Sequence, residues 1–403
     1  MLSMKRLGSC LMAFVALLSV VSLQPASGHR LHPREVYHRA WELVRDSYYD
    51  ASFNNQSWLT WEHRYDGDIK SVPDAHKAIK SMLGSLKDPY TRFLDPQSFR
   101  DENDAINAKI VGIGINLVQK GDRLVVTKTL DNSPAQRAGL KEKDEIIAID
   151  GANAIGLSPE QAAEKIRGKA GTPVQIAVKR GEGPQPKAFD ITRAEIIIHA
   201  VSYKIVEPNI GVIQLSTFIS NDAAREFKVA LEKLSRTDGL IIDLRDNPGG
   251  LLSNSLEIAD MLLDGGVIVS TVGRTGKSID TASGNPLTHQ PIAVLVDDES
   301  ASASEILAGA LKDNNRGVII GTHTYGKGLV QEINHLPDGA AVHITVSRYL
   351  TPNGTDINKI GVQPDIQVSD KAQQEHVAVA YLKEKIATIN NPGRASRISL
   401  GQH

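Results

Sequence analysis

The sequence predicts a mixed α/β plus α+β fold: a strand–helix unit, a β-rich module ahead of it, and a helical region in front of both. Three observations predict it. Apolar residues recur at helical spacing within residues 33–107. Short β-rich runs with glycines between them fill residues 108–193. From Glu195 onward strands and helices alternate, the pattern of a mostly parallel sheet with helices packed on it. The chain divides as 1–28, 29–107, 108–193, 194–370 and 371–403.

The first segment is a secretory signal by pattern. Lys5 and Arg6 form a basic start, Leu7 to Leu23 is apolar and uncharged, and Ala26-Ser27-Gly28 offers small residues for cleavage. An uncleaved membrane anchor is the alternative, because the apolar run approaches spanning length. Cys10 is the only cysteine and leaves with the signal. The remaining chain then has no disulfide, thiol nucleophile or thiolate ligand. At 41% hydrophobic and 23% charged, the 403 residues suit a soluble globular protein of two or three domains. A formal net charge of −2 gives no footing for a nucleic-acid partner.

In the helical region, His38 to Tyr49 and Ala75 to Leu86 carry the periodic apolar residues, with Trp58 and Trp61 as core anchors between them. The β-rich module opens with IVGIGINL and DRLVVTKTL. A Ser-Pro start opens a short helix in NSPAQRAGL, and KEKDEIIAIDG is a strand ending in an Asp150-Gly151 turn. In SPEQAAEKIRGKAG, Ser158 caps a helix, Gln161 completes a capping box and Gly168 stops it. Two alternating strands, TPVQIAVKR and PKAFDITRA, close the module.

The strand–helix unit begins with a hairpin, YKIVEPNIGVIQLS, turning at Pro208-Asn209. An amphipathic helix capped by Asn221 follows. The apolar strand GLIIDLR then leads through NPGG into a helix over Leu252–Leu263. PIAVLVD and RGVIIG are further buried strands, and the tail after about residue 370 reads as loose and polar. In parallel sheets ligands bind beyond the C-terminal strand ends, where NPGG and SASASE both fall.

SASASE raises a choice among Ser300, Ser302 and Ser304. Ser302-x-x-Glu305 fits a capping box, and a helix N-terminus also favours a developing oxyanion. No G-x-S-x-G elbow is present to mark a nucleophile. A serine needs a base, either a histidine (His323, His335 and His343 are near in sequence) or a neutral lysine. Lys327 stands between Gly326 and Gly328, where the chain can pass close to a substrate. Gly249 and Gly250 could aim backbone N–H groups at a carbonyl, or simply turn the chain.

Together these pieces resemble the C-terminal processing, or tail-specific, proteases of the S41 serine peptidase family. The matching stretches are Asp243–Gly250, Ser300–Leu311, Thr324–Gln331, Arg348–Gly354 and Gly361–Asp365, with DPYTRFL at 88–94. The resemblance implies a ClpP/crotonase-like protease core with an inserted PDZ domain at 108–193. TDINKIGVQPD and the WLTW region look most similar to the subgroup that trims the photosystem II D1 protein. By motif position the resemblance makes Ser302 the nucleophile, Lys327 the base and Gln331 the residue orienting it. Backbone N–H groups of Gly249, Gly250 and Ala303 would form the oxyanion hole. It implies no cofactor and no metal. The PDZ loop Val111–Ile115 would place Gly112, Ile113, Gly114 and Ile115 against a peptide C-terminus added as a strand. Arg167 would couple that domain to the core, or serve only as a helix-end cation.

The expected substrates are C-terminal tails of extracytoplasmic or membrane-associated proteins, met in the periplasm or thylakoid lumen. Two other readings are weighed: a catalytically inactive peptide-binding protein of the same fold, and a crotonase-like acyl-transfer enzyme. The second leaves the PDZ module and the dyad unexplained. One feature sits awkwardly with a neutral lysine. Asp297, Asp298 and Glu299 precede the serines, and a carboxylate near Lys327 would raise its pKa. These acids are expected to point away.

Overall fold

The computed structural model describes residues 32–390 except 107, 108, 131, 182–184, 198 and 208. The signal segment and Cys10 lie outside the described residues. Among the described residues, no helix is long and apolar enough to cross a membrane.

The helical region starts at the helix Pro33–Ser47, capped by His32 with Glu35 answering it. A second helix, Val72–Gly84, opens with a Ser71–Asp74 capping box. The two tryptophans between them are core anchors, as expected. Trp41 and Trp58 each donate their indole N–H to the other's carbonyl at 3.1 Å. The Tyr37 hydroxyl donates to the Trp61 carbonyl at 2.5 Å. The region is not helical throughout, however. Arg92–Leu94 is a strand that pairs antiparallel with the long strand Ala341–Leu350, so Arg92 faces His343 in register. The helix Pro96–Ile106 follows it. The N-terminal helices share their core with Leu336, Ala340, Val342 and Ile344. Sequence periodicity missed this because three residues are too few to show a period.

The β-rich module is a six-stranded antiparallel sheet with two helices. Ser133 caps Pro134–Ala138, and Ser158 with Gln161 boxes the start of Pro159–Ile166. A two-stranded ribbon, Lys109–Gly112 with Ala194–Ile197, joins the module to the rest of the chain.

The strand–helix unit has a six-stranded sheet in the order 201–206, 210–215, 239–243, 292–296, 317–321, 366–367. The first pair is antiparallel and the others are parallel. Every residue of Gly239–Asp243 and of Ile292–Val296 is buried, as strands covered on both faces require. The hairpin forms as predicted, although Pro208 at its turn lies outside the described residues.

Three boundaries differ from expectation. The helix after NPGG runs Leu252–Asp260 and stops short of Leu263, with a turn at Met261 and Leu262. The amphipathic helix runs Ala223–Lys233 with Asp222, not Asn221, at its N-cap. The Asn221 N–H is drawn instead to the Ile106 carbonyl. The expected loose tail is, over Lys371–Asn390, a helix. It lays Ala378, Val379 and Leu382 on the sheet face formed by Val212, Ile241, Ala293 and Leu295. Half of its residues are polar, but Ala378 and Leu382 recur at i and i+4, and one stripe suffices when a bare sheet face is there to cover.

Candidate active site

Two turns meet at the C-terminal ends of the central strands. The NPGG turn follows Gly239–Asp243, and Asn247 ties it down. Its side chain donates to the Leu215 carbonyl at 2.6 Å and accepts the Gly249 N–H at 2.9 Å. Its carbonyl accepts the Ala301 N–H at 3.0 Å and the Ser304 hydroxyl at 2.9 Å. Asn247 is fully buried, and it locks the glycine turn to the serine turn. It stood in the quoted motif, but nothing in its type announced the role.

The glycines are there for close approach. A Cβ on Gly249 would lie 2.5 Å from the Ala301 carbonyl oxygen, and one on Gly250 2.2 Å from the Ile219 nitrogen. Both have φ in the range that side chains avoid, +94° and +144°. The three expected oxyanion donors therefore differ. The Gly249 N–H is already given to Asn247, whereas the N–H groups of Gly250 and Ala303 take no partner among the described residues.

The three serines separate clearly. Ser300 and Ser304 are fully buried and donate to the Leu244 and Asn247 carbonyls. Ser302 is only half-buried and its backbone is strained, with φ +55° and ψ −112°. It opens the helix Ala303–Asp313 in a capping box with Glu305. The firm half of the box is the carboxylate: the Ser302 N–H donates to Glu305 Oε2 at 2.8 Å.

Glu305 does more than close a helix. It is fully buried. Its Oε1 accepts the Thr324 hydroxyl at 2.5 Å and the Gly326 N–H at 2.7 Å, and its Oε2 also accepts the Lys327 N–H at 2.9 Å. One carboxylate thus holds the main chain of Ser302 and of Lys327. A capping-box motif hides this role, because the second set of donors arrives from 19 to 22 residues downstream. Hydrogen bonds to a charged acceptor contribute ~1.5–3 kcal/mol each. Glu305→Gln, which turns an amide N–H toward two of these donors, is expected to lower stability by about 3 kcal/mol. It should also cut peptide cleavage about 100-fold through misplacement of the loop. Thermal unfolding and a peptide-cleavage assay on the same preparation check both.

Lys327 is substantially buried, and burial holds its pKa below the ordinary lysine value; the charge of Arg92 adds to the effect. Glu102 and Glu305 pull the other way and are outweighed. The upstream acids are elsewhere. Asp298 and Glu299 are exposed, and Asp297 is buried against Lys371 Nζ at 2.6 Å. Burial pushes the Asp297 carboxyl up, but Lys371 and the Asp246 N–H bring it below the usual range. The carboxylates that do face Lys327 come from the helix Pro96–Ile106 and from Glu305.

Ser302, Lys327, Gln331, Gly249, Gly250 and Ala303 line one cavity of about 390 Å³. The lysine ammonium lies 5.1 Å from the Tyr90 ring centre. No hydrogen bond joins it to Ser302 or Gln331 among the described residues, and the buried Gln331 Nε2 is unpaired. His343 lines the same cavity, with its Nε2 2.9 Å from Glu102. His335 lines a different hollow, and His323 lines neither.

In the β-rich module, Gly112, Ile113, Gly114 and Ile115 line a groove of about 150 Å³ with Ala163 and Ile166. The Ala135 and Leu130 N–H groups hold the Ile113 and Gly114 carbonyls at 2.8 and 3.0 Å. A Cβ on Gly114 would meet Ser133 Cβ at 2.4 Å. Arg167, at the mouth of the groove, pairs with Asp101 at 3.5 Å. Asp101 is the neighbour of Glu102, so one short helix touches both the groove and the active-site cavity. Among the described residues, no group of three or more His, Cys, Asp or Glu is arranged to hold a metal ion.

Fold and site together define a serine-type peptidase that carries a PDZ domain. The family model "Peptidase family S41" matches residues 209–368, and "PDZ domain" matches residues 105–179. The chain is 41% identical to a carboxyl-terminal-processing protease of Picosynechococcus sp., over 81% of each chain. It is 37% identical to the chloroplastic carboxyl-terminal-processing peptidase 3 of Arabidopsis thaliana, over 81% of this chain and 67% of that one. The solved structure of a photosystem II D1 C-terminal processing protease matches with a TM-score of 0.59 at 33% identity. That match covers 84% of this chain and 94% of the other. The chain belongs to peptidase family S41, among its carboxyl-terminal-processing proteases.

Proposed function

We propose that this peptidase is an endopeptidase that captures the C-terminal tails of extracytoplasmic proteins on its PDZ groove and cuts near the tail with a Ser302–Lys327 dyad. The observation that carries the reading is the shared cavity. It brings together a half-buried serine, a lysine whose positive charge is disfavoured by burial, and two uncommitted N–H groups. In the reaction, neutral Lys327 Nζ takes the Ser302 Oγ proton as Oγ bonds to the scissile carbonyl carbon. The Gly250 and Ala303 N–H groups hold the oxyanion. Gly249, already bonded to Asn247, holds the turn instead. Collapse passes the lysine proton to the leaving amine, and water then releases the acyl group by the same base. The unpaired Gln331 amide is available to orient Lys327 once substrate draws its Nζ off Tyr90.

Relatives named chloroplastic, together with those from cyanobacteria, support a luminal or periplasmic site of action after export. Arg167 and Asp101 are the proposed coupling between groove and core. The pairing of His343 with Glu102 in the same cavity supports a second reading, in which a histidine is the base; Gln331 would then have no partner to orient.

Two peptides that differ only in a free or amidated C-terminus test the capture step. The free peptide is expected to be cut at least about 10-fold faster at low concentration, because loop N–H groups hold the carboxylate. Equal rates for the two would remove the PDZ groove from substrate recognition.

A further inference from the structure

We infer that Tyr349 is a positioning residue for hydrolysis: its hydroxyl holds the main chain of Lys327 beside that of Ser302, and so fixes how far the base stands from the nucleophile. The inference rests on the Ser302–Lys327 reading above.

Tyr349 lies on the strand Ala341–Leu350 and is fully buried. Its own N–H donates to the Gly328 carbonyl at 3.0 Å. Its hydroxyl oxygen lies 3.0 Å from the Ser302 carbonyl oxygen and in closer contact still with that of Lys327. A phenol has a single proton to give. The Ser302 carbonyl already receives the Glu305 and Ile306 N–H groups at 2.9 and 3.0 Å, which fills its two lone pairs. The proton therefore goes to Lys327. Burial, with the charge of Glu305, pushes the hydroxyl pKa well above the ordinary value and outweighs a side-chain hydrogen bond with Ser302 that lowers it, so the hydroxyl keeps its proton.

The lysine peptide is thus gripped at both ends. Its N–H goes to Glu305 and its carbonyl to Tyr349. The same two side chains meet the N–H and the carbonyl of Ser302. Lys359 holds the preceding carbonyl, that of Gly326, at 2.7 Å. The residues on either side of Lys327 are glycines, with no side chains to anchor the loop, so main-chain hydrogen bonds must do it. Removing the Tyr349 hydroxyl frees one end of the peptide that carries the base.

The test is Tyr349→Phe in the full chain, assayed by peptide cleavage across pH. The expected result is a kcat lower by about 10- to 100-fold with KM changed less than about 2-fold. The acid limb of kcat/KM should also move to higher pH, because a slack loop lets water back to the ammonium. A ring that merely fills the core would lower Tm and leave both the limb and the kcat of folded enzyme in place; that result overturns the inference. para-Aminophenylalanine in place of Tyr349 keeps a donor at the same point. It should return kcat to within about 3-fold of wild type. Should the phenylalanine variant not fold, this replacement carries the test. A near-normal kcat supports the inference; a large loss in folded protein, or failure to fold, overturns it. Ser302→Ala, run alongside, separates the two readings. Residual cleavage there sinks the dyad itself, whereas its loss beside an unaltered Tyr349→Phe enzyme sinks only the positioning role.

Discussion

Ser302→Ala abolishes peptide cleavage, lowering kcat by at least about 10⁴-fold, while Tm stays within about 1 °C of wild type. The size of the loss follows from what the hydroxyl does. In the proposed mechanism it is the atom that bonds to the substrate carbonyl, and no neighbour can replace it. Ser300 and Ser304 are fully buried and committed to the Leu244 and Asn247 carbonyls. The small effect on stability follows from the same structure. The firmest bonds that hold the turn run through the Ser302 N–H and carbonyl, which alanine keeps. Alanine also tolerates φ of +55° no worse than serine does. Cleavage by the alanine variant at a tenth of the wild-type rate would exclude Ser302 as nucleophile.

Lys327→Met also removes activity, by about 10⁴-fold, and raises Tm at neutral pH. Both effects come from one cause. Burial holds the lysine pKa below its ordinary value, so the folded state binds its proton less well than the unfolded chain, where lysine titrates near ~10.4. Below the depressed pKa the lysine is charged in both states, and the folded protein carries the full desolvation penalty. Between the two pKa values the unfolded chain binds more protons, so stability rises with pH across that window. Methionine fills similar space without the charge and lifts the penalty. The gain is modest, on the order of 2 °C, because the lysine keeps some solvent contact. In the wild type, kcat/KM is expected to rise with pH until the depressed pKa is passed, then to level as the neutral base predominates. His323→Gln leaves this limb unmoved. Loss of the limb in His343→Gln, with Lys327→Met still active, would make the histidine the base.

The contrast between these variants and Glu305→Gln or Tyr349→Phe is informative. In the proposed mechanism Ser302 and Lys327 touch the reacting atoms, and their loss should stop the reaction. Glu305 and Tyr349 act on the main chain that presents those atoms. Their loss should slow the reaction and shift its pH dependence without ending it.

Much of this was legible in the linear chain. The alternation of strand and helix after Glu195 placed NPGG and SASASE at strand ends, because a parallel sheet needs a crossover between strands. The Ser158–Gln161 box and the Ser133 cap were readable because caps are local, acting within one turn of helix. The strand Arg92–Leu94 was not readable, since its partner lies some 250 residues away and only pairing makes so short a run a strand. The C-terminal helix was missed for a similar reason: its apolar stripe has no meaning until the sheet face it covers exists.

The sequence by itself determined the ingredients: the order of elements, the glycines at the strand ends, and one serine and one lysine in the register of a known family. Tertiary structure alone decided which of three serines lines the cavity, since that depends on the Leu244 and Asn247 carbonyls standing beside the other two. It also decided which acids bear on the base. Asp297, close to Ser302 in sequence, turns to Lys371, while Glu102, more than two hundred residues from Lys327, faces it. The reason is physical. Backbone conformation and capping are set by near neighbours in the chain, but a pKa and an unspent hydrogen bond depend on whatever the fold brings within a few ångströms.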